Sequence, residues 1–279
     1  MNILIVVNTS NGKAIDAGAL LSAYFASQGI DYESYAANEV EQVVAEGANR
    51  IPCYDMAVAL GGDGTILHTA NAVHANGAPI LGINFGHLGF LANKADDGVM
   101  KIVAAALAGD VTYDKRANLH AVVTYEDGSE YECFALNEVN LARGSSGRIV
   151  DYNLFVSGDF LYRMSSDGLV VSTATGSTAY ALSAGGPLVA PGFQGLVVVP
   201  LAPHSITSRA VLTEANDVVE VEFGLDPSHS EVELFVDGTP IVGKCAISRV
   251  RIMRGEVPTT LLRYNQEHFT QQISRVFFK

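Results

Sequence analysis

The sequence predicts a two-domain protein in which an α/β domain with a parallel sheet is followed by an all-β domain. In the first ninety residues, short apolar runs typical of buried strands alternate with segments of helical periodicity. After about residue 110, β-like runs separated by turn signals predominate. With 279 residues, 48% of them hydrophobic, the chain can bury two cores. We expect residues 1–110 and 255–279 to form the first domain and residues 111–254 to form the second.

The spacing of apolar residues defines the elements of the first domain. A continuous apolar run such as Ile3–Val7 is expected of a strand that is buried on both faces. A helical pattern that stops before Gly29 predicts a helix capped by this glycine. The predicted strands are Ile3–Val7, Asp31–Tyr35, Met56–Leu60 and Pro79–Asn84, and the predicted helices are Lys13–Gln28, Glu39–Ala48 and Ile66–Ala75.

The second domain is predicted from short β-like runs and hairpin signals. Asp127-Gly128 and Ser157-Gly158-Asp159 are typical of tight turns between strands. A Gly/Ser/Thr-rich turn with a short helix near Gly176–Gly186 interrupts the β pattern, and the last stretch, Gln266–Arg275, is predicted to be a helix that packs on the first domain. The predicted strands are Leu119–Tyr125, Tyr131–Leu141, Asp151–Val156, Phe160–Arg163, Leu169–Val171, Leu196–Pro200, Val218–Phe223, Glu231–Val236 and Ser248–Met253.

The composition excludes several classes of protein. Seventeen Lys and Arg against thirty Asp and Glu give a net charge of −13, which disfavours binding to nucleic acid. The three cysteines form no C-x-x-C pair, so neither a zinc site nor a disulfide framework is expected. No run of 18 apolar residues occurs, and the segment Met1–Val7 lacks the basic flank of a signal peptide. We therefore expect a soluble, cytoplasmic protein with no membrane partner.

The first candidate site is Gly61-Gly62-Asp63-Gly64-Thr65, between a predicted buried strand and a helix. Glycines let the backbone approach a bulky anion, and ligands bind at the carboxyl ends of strands in open α/β sheets. Asp63 could hold a divalent metal, accept a proton from a hydroxyl, or serve only as the helix N-cap. The glycine spacing fits neither the dinucleotide-binding pattern G-x-G-x-x-G nor the P-loop pattern.

Two further candidates lie in the second domain. Asn137 and Glu138 interrupt an apolar run, either as edge-facing polar positions or as a pair that grips a ribose diol. The segment Asp167–Pro187 runs from a strand into small hydroxylated residues that could form a hydrogen-bonding floor, with Tyr180 available for stacking on a base. Such loops are also common as simple turns. No G-x-S-x-G elbow is present, which argues against a serine nucleophile.

These motifs, in this order, resemble those of the NAD kinases. The resemblance rests on Gly61–Thr65, Gly82–Leu91, Leu136–Glu138 and Asp167–Pro187, with further matches at Pro203-His204-Ser205 and Asp237-Gly238, and it covers essentially the whole chain. One departure is Ala174, which stands where the family usually has proline and so loosens the local backbone. The resemblance implies a Rossmann-like open-sheet domain that carries the GGDG loop and a C-terminal β-sandwich-like domain.

The resemblance also implies roles for individual residues. Asp63 is expected to be the catalytic proton acceptor and to contact NAD. The loop that faces the phosphoryl donor is expected to consist of Gly61, Gly62, Gly64 and Thr65. The other residues expected to contact NAD are Gly64, His68, Asn137, Glu138, Arg148, Ser165, Asp167, Thr175, Thr178, Ala179, Tyr180, Ala181, Leu182 and Ser183, with Asp167 at the nicotinamide end.

The expected reaction is transfer of a phosphoryl group to the 2′-hydroxyl of the adenosine ribose of NAD, giving NADP. The donor is ATP, another nucleoside triphosphate or polyphosphate, with a divalent ion, Mg²⁺, to neutralise its charge and no protein ligand assigned to the metal. A homodimer or homotetramer is expected from the family. Two alternatives are a lipid kinase of the diacylglycerol or sphingosine type, which usually has a second motif G-T-x-N-D, and a dinucleotide-binding sensor without catalysis.

Overall fold

The computed structural model describes residues 1–40, 53–87, 89–224, 232–243, 245–265 and 267–278. The chain divides into two compact units, Met1–Arg116 with Val257–Lys279 and Ala117–Glu256. The first unit extends a little beyond the expected boundary at residue 110, because the strand Thr112–Arg116 pairs with the strand Thr259–Arg263.

The elements of the first unit whose full bounds lie in the described residues are seven strands and four α-helices. Its strands are β1 (Asn2–Val7), β2 (Asp31–Ala36), β3 (Met56–Leu60), β4 (Ile80–Asn84), β5 (Asn93–Lys94), β6 (Thr112–Arg116) and, late in the chain, β19 (Thr259–Arg263). Its α-helices are α1 (Gly12–Gln28), α2 (Asp63–Val73), α3 (Val99–Ala108) and α5 (Phe269–Phe277), with a 3-10 turn at Ala95–Asp97.

The seven strands just given form a single sheet with the order β2-β1-β3-β4-β19-β6, and β5 pairs with β4. All neighbouring strands run parallel except β19 and β6, which are antiparallel. The residues of β1, β3 and β4 are almost all buried, as their continuous apolar sequences predict. Because β2 and β3 lie on opposite sides of β1, the strand order reverses there, and ligands in open α/β sheets bind beside such a reversal.

The second unit consists of two antiparallel sheets that share one core. One sheet has the order β11-β10-β15-β18-β7-β8 and the other the order β14-β13-β12-β9-β16-β17. Its strands are β7 (Leu119–Tyr125), β8 (Glu130–Ala135), β9 (Glu138–Arg143), β10 (Val150–Val156), β11 (Asp159–Ser166), β12 (Gly168–Ser172), β13 (Val197–Leu201), β14 (Val211–Leu212), β15 (Val219–Glu222), β16 (Val232–Val236), β17 (Thr239–Ile241) and β18 (Ile247–Arg254). A 3-10 turn at Gly176–Thr178 leads into the short helix α4 (Tyr180–Ser183).

Alternating side chains place the core of the second unit between its two sheets. Val139 and Leu169 from one sheet and Val123 and Val250 from the other belong to the same buried cluster. The opposite face of the β9–β12 sheet carries a second cluster, which includes Ala181 of α4. The predicted fold class, an open-sheet α/β domain followed by a β-sandwich-like domain, is therefore confirmed.

Some elements differ from those predicted. The predicted strand Tyr131–Leu141 is divided into β8 and β9, because Leu136 and Asn137 are held by a side chain described below. Helix α2 begins at Asp63 rather than at Ile66, and α5 begins at Phe269. The elements α3, β6 and β19 were not predicted, and most of the predicted helix Glu39–Ala48 falls outside the described residues. Of the helices in the described ranges, none combines the length and apolar character that crossing a membrane requires.

Candidate active site

The carboxylate of Asp63 lies at the start of α2 and is held by a distant loop. Gly62, not Asp63, is the N-cap residue, so the alternative in which Asp63 serves only as the helix N-cap is wrong. The backbone N–H of Phe90 donates to Asp63 Oδ2 at 2.9 Å, and the N–H of Leu91 donates to Oδ1 at 3.2 Å. Each carboxylate oxygen has a second lone pair, so Asp63 can still accept a further hydrogen bond or a proton.

Gly89 allows this loop to approach the carboxylate. A Cβ atom at position 89 would overlap both oxygens of Asp63. Any side chain at position 89 would therefore collide with the Asp63 carboxylate. Only glycine allows the loop to lie directly against it, and this close contact fixes the orientation of Asp63 at the end of the sheet.

The three glycines of the motif have different reasons to be glycine. A Cβ at Gly61 would overlap the hydroxyl of Thr65, so this glycine is required by packing. A Cβ at Gly62 would reach only Asn84 Nδ2 at 4.0 Å, and one at Gly64 would meet nothing within 4 Å. Neither Gly62 nor Gly64 has the positive φ that favours glycine. Space beside these two positions suits a ligand that approaches the backbone closely.

His68 lies further along α2 and is half-buried. Five residues separate it from Asp63, which corresponds to a rotation of about 140° around the helix axis. The two side chains therefore leave the helix on different sides. Its role in binding NAD stays a prediction.

In the second unit, Asp237 shapes the chain around Asn137 and Glu138. The Asp237 carboxylate accepts the backbone N–H groups of Leu136 at 2.7 Å, Asn137 at 2.8 Å and Glu138 at 3.0 Å. Asp237 itself has a φ of 47° in the turn between β16 and β17. These three N–H groups lie where the chain passes from β8 in one sheet to β9 in the other, and the Asp237 side chain supplies their acceptors at this crossing.

Glu138 is a buried carboxyl group with spare hydrogen-bonding capacity. Its side chain is 7% exposed, and among the described residues its Oε2 atom has no hydrogen-bond partner. Burial, together with the negative charge of Asp237, raises the pKa of Glu138 to about 8, and a hydrogen bond from the Tyr180 backbone acts in the opposite direction. A buried, unpaired carboxyl oxygen is costly to a protein and suits a site that a ligand hydroxyl completes.

The hydroxyl-rich segment after β12 is held by its own hydrogen bonds. Thr173 Oγ1 donates to the Leu136 carbonyl at 2.7 Å, and Ser172 Oγ donates to the Asn137 carbonyl at 3.1 Å. Ser177 Oγ donates to the Ala174 carbonyl at 2.7 Å. The expectation of an open floor of hydroxyls is therefore wrong for Ser172, Thr173 and Ser177, because buried hydroxyls must satisfy the backbone carbonyls around them.

The remaining predicted residues of this segment follow the turn into α4. Tyr180 is 44% exposed and Ser183 is also exposed, whereas Ala181 is completely buried. Tyr180 joins this segment to Glu138 through its backbone N–H. Of the other predicted residues, Thr175 is buried, and three are half-buried: Thr178, Ala179 and Leu182.

A second group of predicted residues lies at the other end of β12. Asp167 forms an ion pair with Arg143 at 2.9 Å, and the hydroxyl of Ser165 donates to Asp151. Arg148 is exposed in the loop that follows β9. Strand β12 separates Asp167 from Ser172, which pairs with Glu138, by about 17 Å at roughly 3.3 Å per residue. The structure therefore brings Asn137, Glu138 and Tyr180 together and holds Asp167 at the far end of the same strand.

Sequence reasoning missed two side chains that organise these sites. Asp237 was noted only as a family match, although an Asp-Gly pair between two β-like runs is a recognisable turn signal. Arg263, which contacts the loop that holds Asp63, gave no signal in the sequence. Within the described ranges, no three His, Cys, Asp or Glu side chains are grouped so that they could hold a metal ion.

Two protein-family models match the chain, one in each of its two units. The family model described as the ATP-NAD kinase N-terminal domain matches residues 21–111, and that of the ATP-NAD kinase C-terminal domain matches residues 136–264. Together the two matches cover most of the chain. They include the GGDG motif in the first unit and the Asn137–Glu138 and Asp167–Pro187 segments in the second.

Two solved structures have the same fold. Yeast NADH kinase complexed with NADH has a TM-score of 0.84 at 24% identity, over 100% of this chain and 87% of the yeast chain. An NAD kinase from Archaeoglobus fulgidus in complex with ATP has a TM-score of 0.73 at 21% identity, over 100% of this chain and 98% of the archaeal chain. At these identities the likeness shows the fold.

Relatives with higher identity extend over nearly the whole chain. The NAD kinase of Leifsonia xyli is 36% identical over 285 residues, which cover 99% of this chain and 93% of the relative. The NAD kinase of Thermobifida fusca is 32% identical over 292 residues, which cover 99% and 88%. With both family models matched and relatives aligned over almost their full length, the chain belongs to the NAD kinase family.

Proposed function

We propose that this protein transfers the γ-phosphoryl group of ATP to the 2′-hydroxyl of the adenosine ribose of NAD, giving NADP and ADP. Membership of the NAD kinase family supports the activity. The observation that carries the site assignment is the Asp63 carboxylate, which two backbone N–H groups orient beside glycines that have open space around them.

Asp63 acts as the proton acceptor in this proposal. A ribose hydroxyl is a weak nucleophile and must lose its proton as it attacks phosphorus. The N–H groups of Phe90 and Leu91 hold the carboxylate in one orientation without occupying all of its lone pairs. Removal of a general base typically costs about 10²–10⁴-fold in rate.

The donor binds along the backbone at Gly62 and Gly64. Their open surroundings let phosphate oxygens reach the N–H groups of the first turn of α2, where the helix dipole favours an anion. Gly61 and Thr65 keep the shape of the turn. A bound Mg²⁺ would neutralise charge on the phosphates. Mg²⁺ is commonly held by substrate phosphates and water, and no protein ligand is assigned to it.

In the second unit, NAD binds at Asn137 and Glu138, where β9 begins. Glu138 and Asn137 bind the hydroxyls of a ribose, because Glu138 offers a buried oxygen that has no partner within the described residues. Asp167 binds the nicotinamide end, as the family resemblance implies. Contacts with the rest of NAD are assigned to His68, Arg148, Ser165 and the segment Thr175–Ser183. We also propose a cytoplasmic location and, as the family resemblance implies, a homodimer or homotetramer.

An NADP-forming assay tests the proposal. Purified protein is mixed with NAD, Mg²⁺ and ATP, and in parallel reactions with polyphosphate or with NADH as acceptor, and the product is detected with an NADP(H)-specific dehydrogenase. We expect turnover with NAD and ATP that falls at least about 10²-fold in Asp63→Asn while the circular dichroism spectrum is unchanged.

Each alternative gives a different result in the same experiment. Wild-type turnover in Asp63→Asn would show that another group accepts the proton. No turnover with any donor, together with tight NAD binding, would favour a sensor. A labelled lipid product without NADP would indicate a lipid kinase.

A further inference from the structure

Phe90 and Leu91, whose N–H groups bind Asp63, are also bound through their carbonyl groups. Arg263, at the end of β19, is only 4% exposed. Its Nη2 atom donates to the Phe90 carbonyl at 2.9 Å, and its Nη1 atom donates to the Leu91 carbonyl. Phe90 and Leu91 therefore each give an N–H group to Asp63 and a carbonyl group to Arg263.

The position of the guanidinium group is fixed by the half-buried carboxylate of Asp114. Arg263 Nε donates to Asp114 Oδ2 at 3.1 Å, so all three nitrogens of the guanidinium make hydrogen bonds. Asp114 is held in turn by Arg116, which donates to both of its oxygens at 2.8 and 2.7 Å. Burial lowers the pKa of Arg263, and the charges of Asp114 and Asp63 act in the opposite direction.

Aromatic packing holds the same loop from the C-terminal helix. The ring of Phe90 lies 5.9 Å from that of Phe277 in a stacked arrangement and 6.4 Å from that of Phe269. The side chain of Phe90 is thus anchored on α5 while its backbone connects Asp63 with Arg263. Because both the side chain and the backbone of Phe90 are held, the loop cannot rotate away from Asp63 without breaking contacts with α5 and with Arg263.

We propose that Arg263 is a positioning residue for phosphoryl transfer, which fixes the orientation of the Asp63 carboxylate by gripping the carbonyls of Phe90 and Leu91. The planar guanidinium group of arginine can donate hydrogen bonds to two neighbouring carbonyls at once in a fixed geometry, whereas the lysine ammonium group is a compact point charge without that geometry. This inference rests on the proposed role of Asp63. A displacement of about 1 Å in a reacting group can cost on the order of 10²-fold in rate, so the loop has to be rigid.

The first test measures the loop directly and needs no activity. In the wild-type protein we expect slow hydrogen exchange at the amides of Phe90 and Leu91, followed by NMR, and at least tenfold faster exchange in Asp63→Ala. Arg263→Met should accelerate the same two amides to a similar extent. Unchanged protection of both amides in Arg263→Met would overturn the proposal, whatever reaction the protein catalyses.

The second test uses kinetics. Arg263→Met should lower kcat by about 10²-fold with little change in the KM for NAD, and Arg263→Lys should recover part of the loss. If Arg263 acts through Asp63, then adding Arg263→Met to Asp63→Asn should lower kcat little further. Additive losses in the double variant would mean that Arg263 has only a structural role, and the proposal would fail.

Arg254→Met, which removes an exposed arginine from the end of β18 in the second unit, is the control for the loss of a positive charge. It should leave kcat and the exchange of the Phe90 and Leu91 amides unchanged. Should Arg263→Met fail to fold by circular dichroism, Arg263→Lys carries both tests, and wild-type kcat with fully protected amides would refute the proposal. If Asp63→Asn alone keeps full turnover, the proposed proton acceptor is wrong, while amide exchange still decides whether Arg263 orders the loop.

Discussion

Glu138 and Asp237 bind each other through reciprocal hydrogen bonds. The backbone N–H of Glu138 donates to Asp237 Oδ1 at 3.0 Å, and the N–H of Asp237 donates to the Glu138 carbonyl, also at 3.0 Å. The same pairing places two acidic side chains close together, and the charge of Asp237 contributes to the raised pKa of Glu138. A contact that builds the site thus adds to the effect of burial, which is the main cause of the raised pKa of Glu138.

The raised pKa of Glu138 predicts a stability that falls as pH rises. The ordinary value is 4.5 and the folded value is about 8, so the unfolded chain releases this proton at lower pH than the folded protein does. The resulting loss of folding stability begins near pH 4.5, grows between pH 4.5 and about pH 8, and is complete above about pH 8. Glu138→Gln should therefore be more stable than wild type at pH 9, by several kcal/mol at about 1.4 kcal/mol per pKa unit, and similar to it at pH 4.5.

Urea unfolding of both proteins at the two pH values measures this difference. Glu233→Gln, which removes an exposed carboxylate from β16 of the same sheet, is the matched control for the loss of a negative charge. A Glu138→Gln variant that is no more stable than wild type at pH 9 would contradict the assignment.

Replacement of Asp237 should separate its hydrogen bonds from its charge. Asp237→Ala leaves the N–H groups of Leu136, Asn137 and Glu138 without their acceptor and should destabilise the protein by about 2–4 kcal/mol or more. Asp237→Asn keeps one acceptor oxygen but removes the charge, so it should cost less stability and should lower the pKa of Glu138. Urea unfolding gives the first quantity, and the pH dependence of stability gives the second. Equal destabilisation by Ala and Asn would argue against the hydrogen bonds as the main contribution.

The glycines of the GGDG motif should respond differently to alanine. Gly64→Ala adds a methyl group that meets nothing within 4 Å, in the first turn of a helix, so stability should be unchanged or increased by up to about 1 kcal/mol. Its KM for ATP should nevertheless rise at least tenfold, because the methyl group occupies space assigned to the donor. Gly61→Ala should instead destabilise the protein by about 1–3 kcal/mol, since it overlaps the Thr65 side chain.

Thermal unfolding and steady-state kinetics distinguish the two effects. Gly192→Ala, at an equally open glycine in the second unit, is the control and should leave the KM for ATP unaltered. A wild-type KM for ATP in Gly64→Ala would remove Gly64 from the donor site.

The sequence alone determined the fold class, the order of most elements and the candidate residues. These are local properties: the apolar run Ile3–Val7 predicts a buried strand, and the glycines of the Gly61–Thr65 motif predict a turn between a strand and a helix. The motifs also carry the family resemblance, because their order along the chain is itself part of the sequence. Helix α2 began earlier than predicted because apolar spacing does not register a first turn that contains glycine.

Only the tertiary structure decided which groups surround those residues. Asp63 is held by N–H groups more than 25 residues away, Glu138 by Asp237 about 100 residues away, and Arg263 by Asp114 about 150 residues away. Such contacts depend on strand order and register, which bring distant segments to the same end of a sheet. Backbone N–H and carbonyl groups are present in every residue, so no sequence pattern marks the ones that orient a carboxylate. The candidate residues could therefore be named from the sequence, while the contacts that position them required the folded chain.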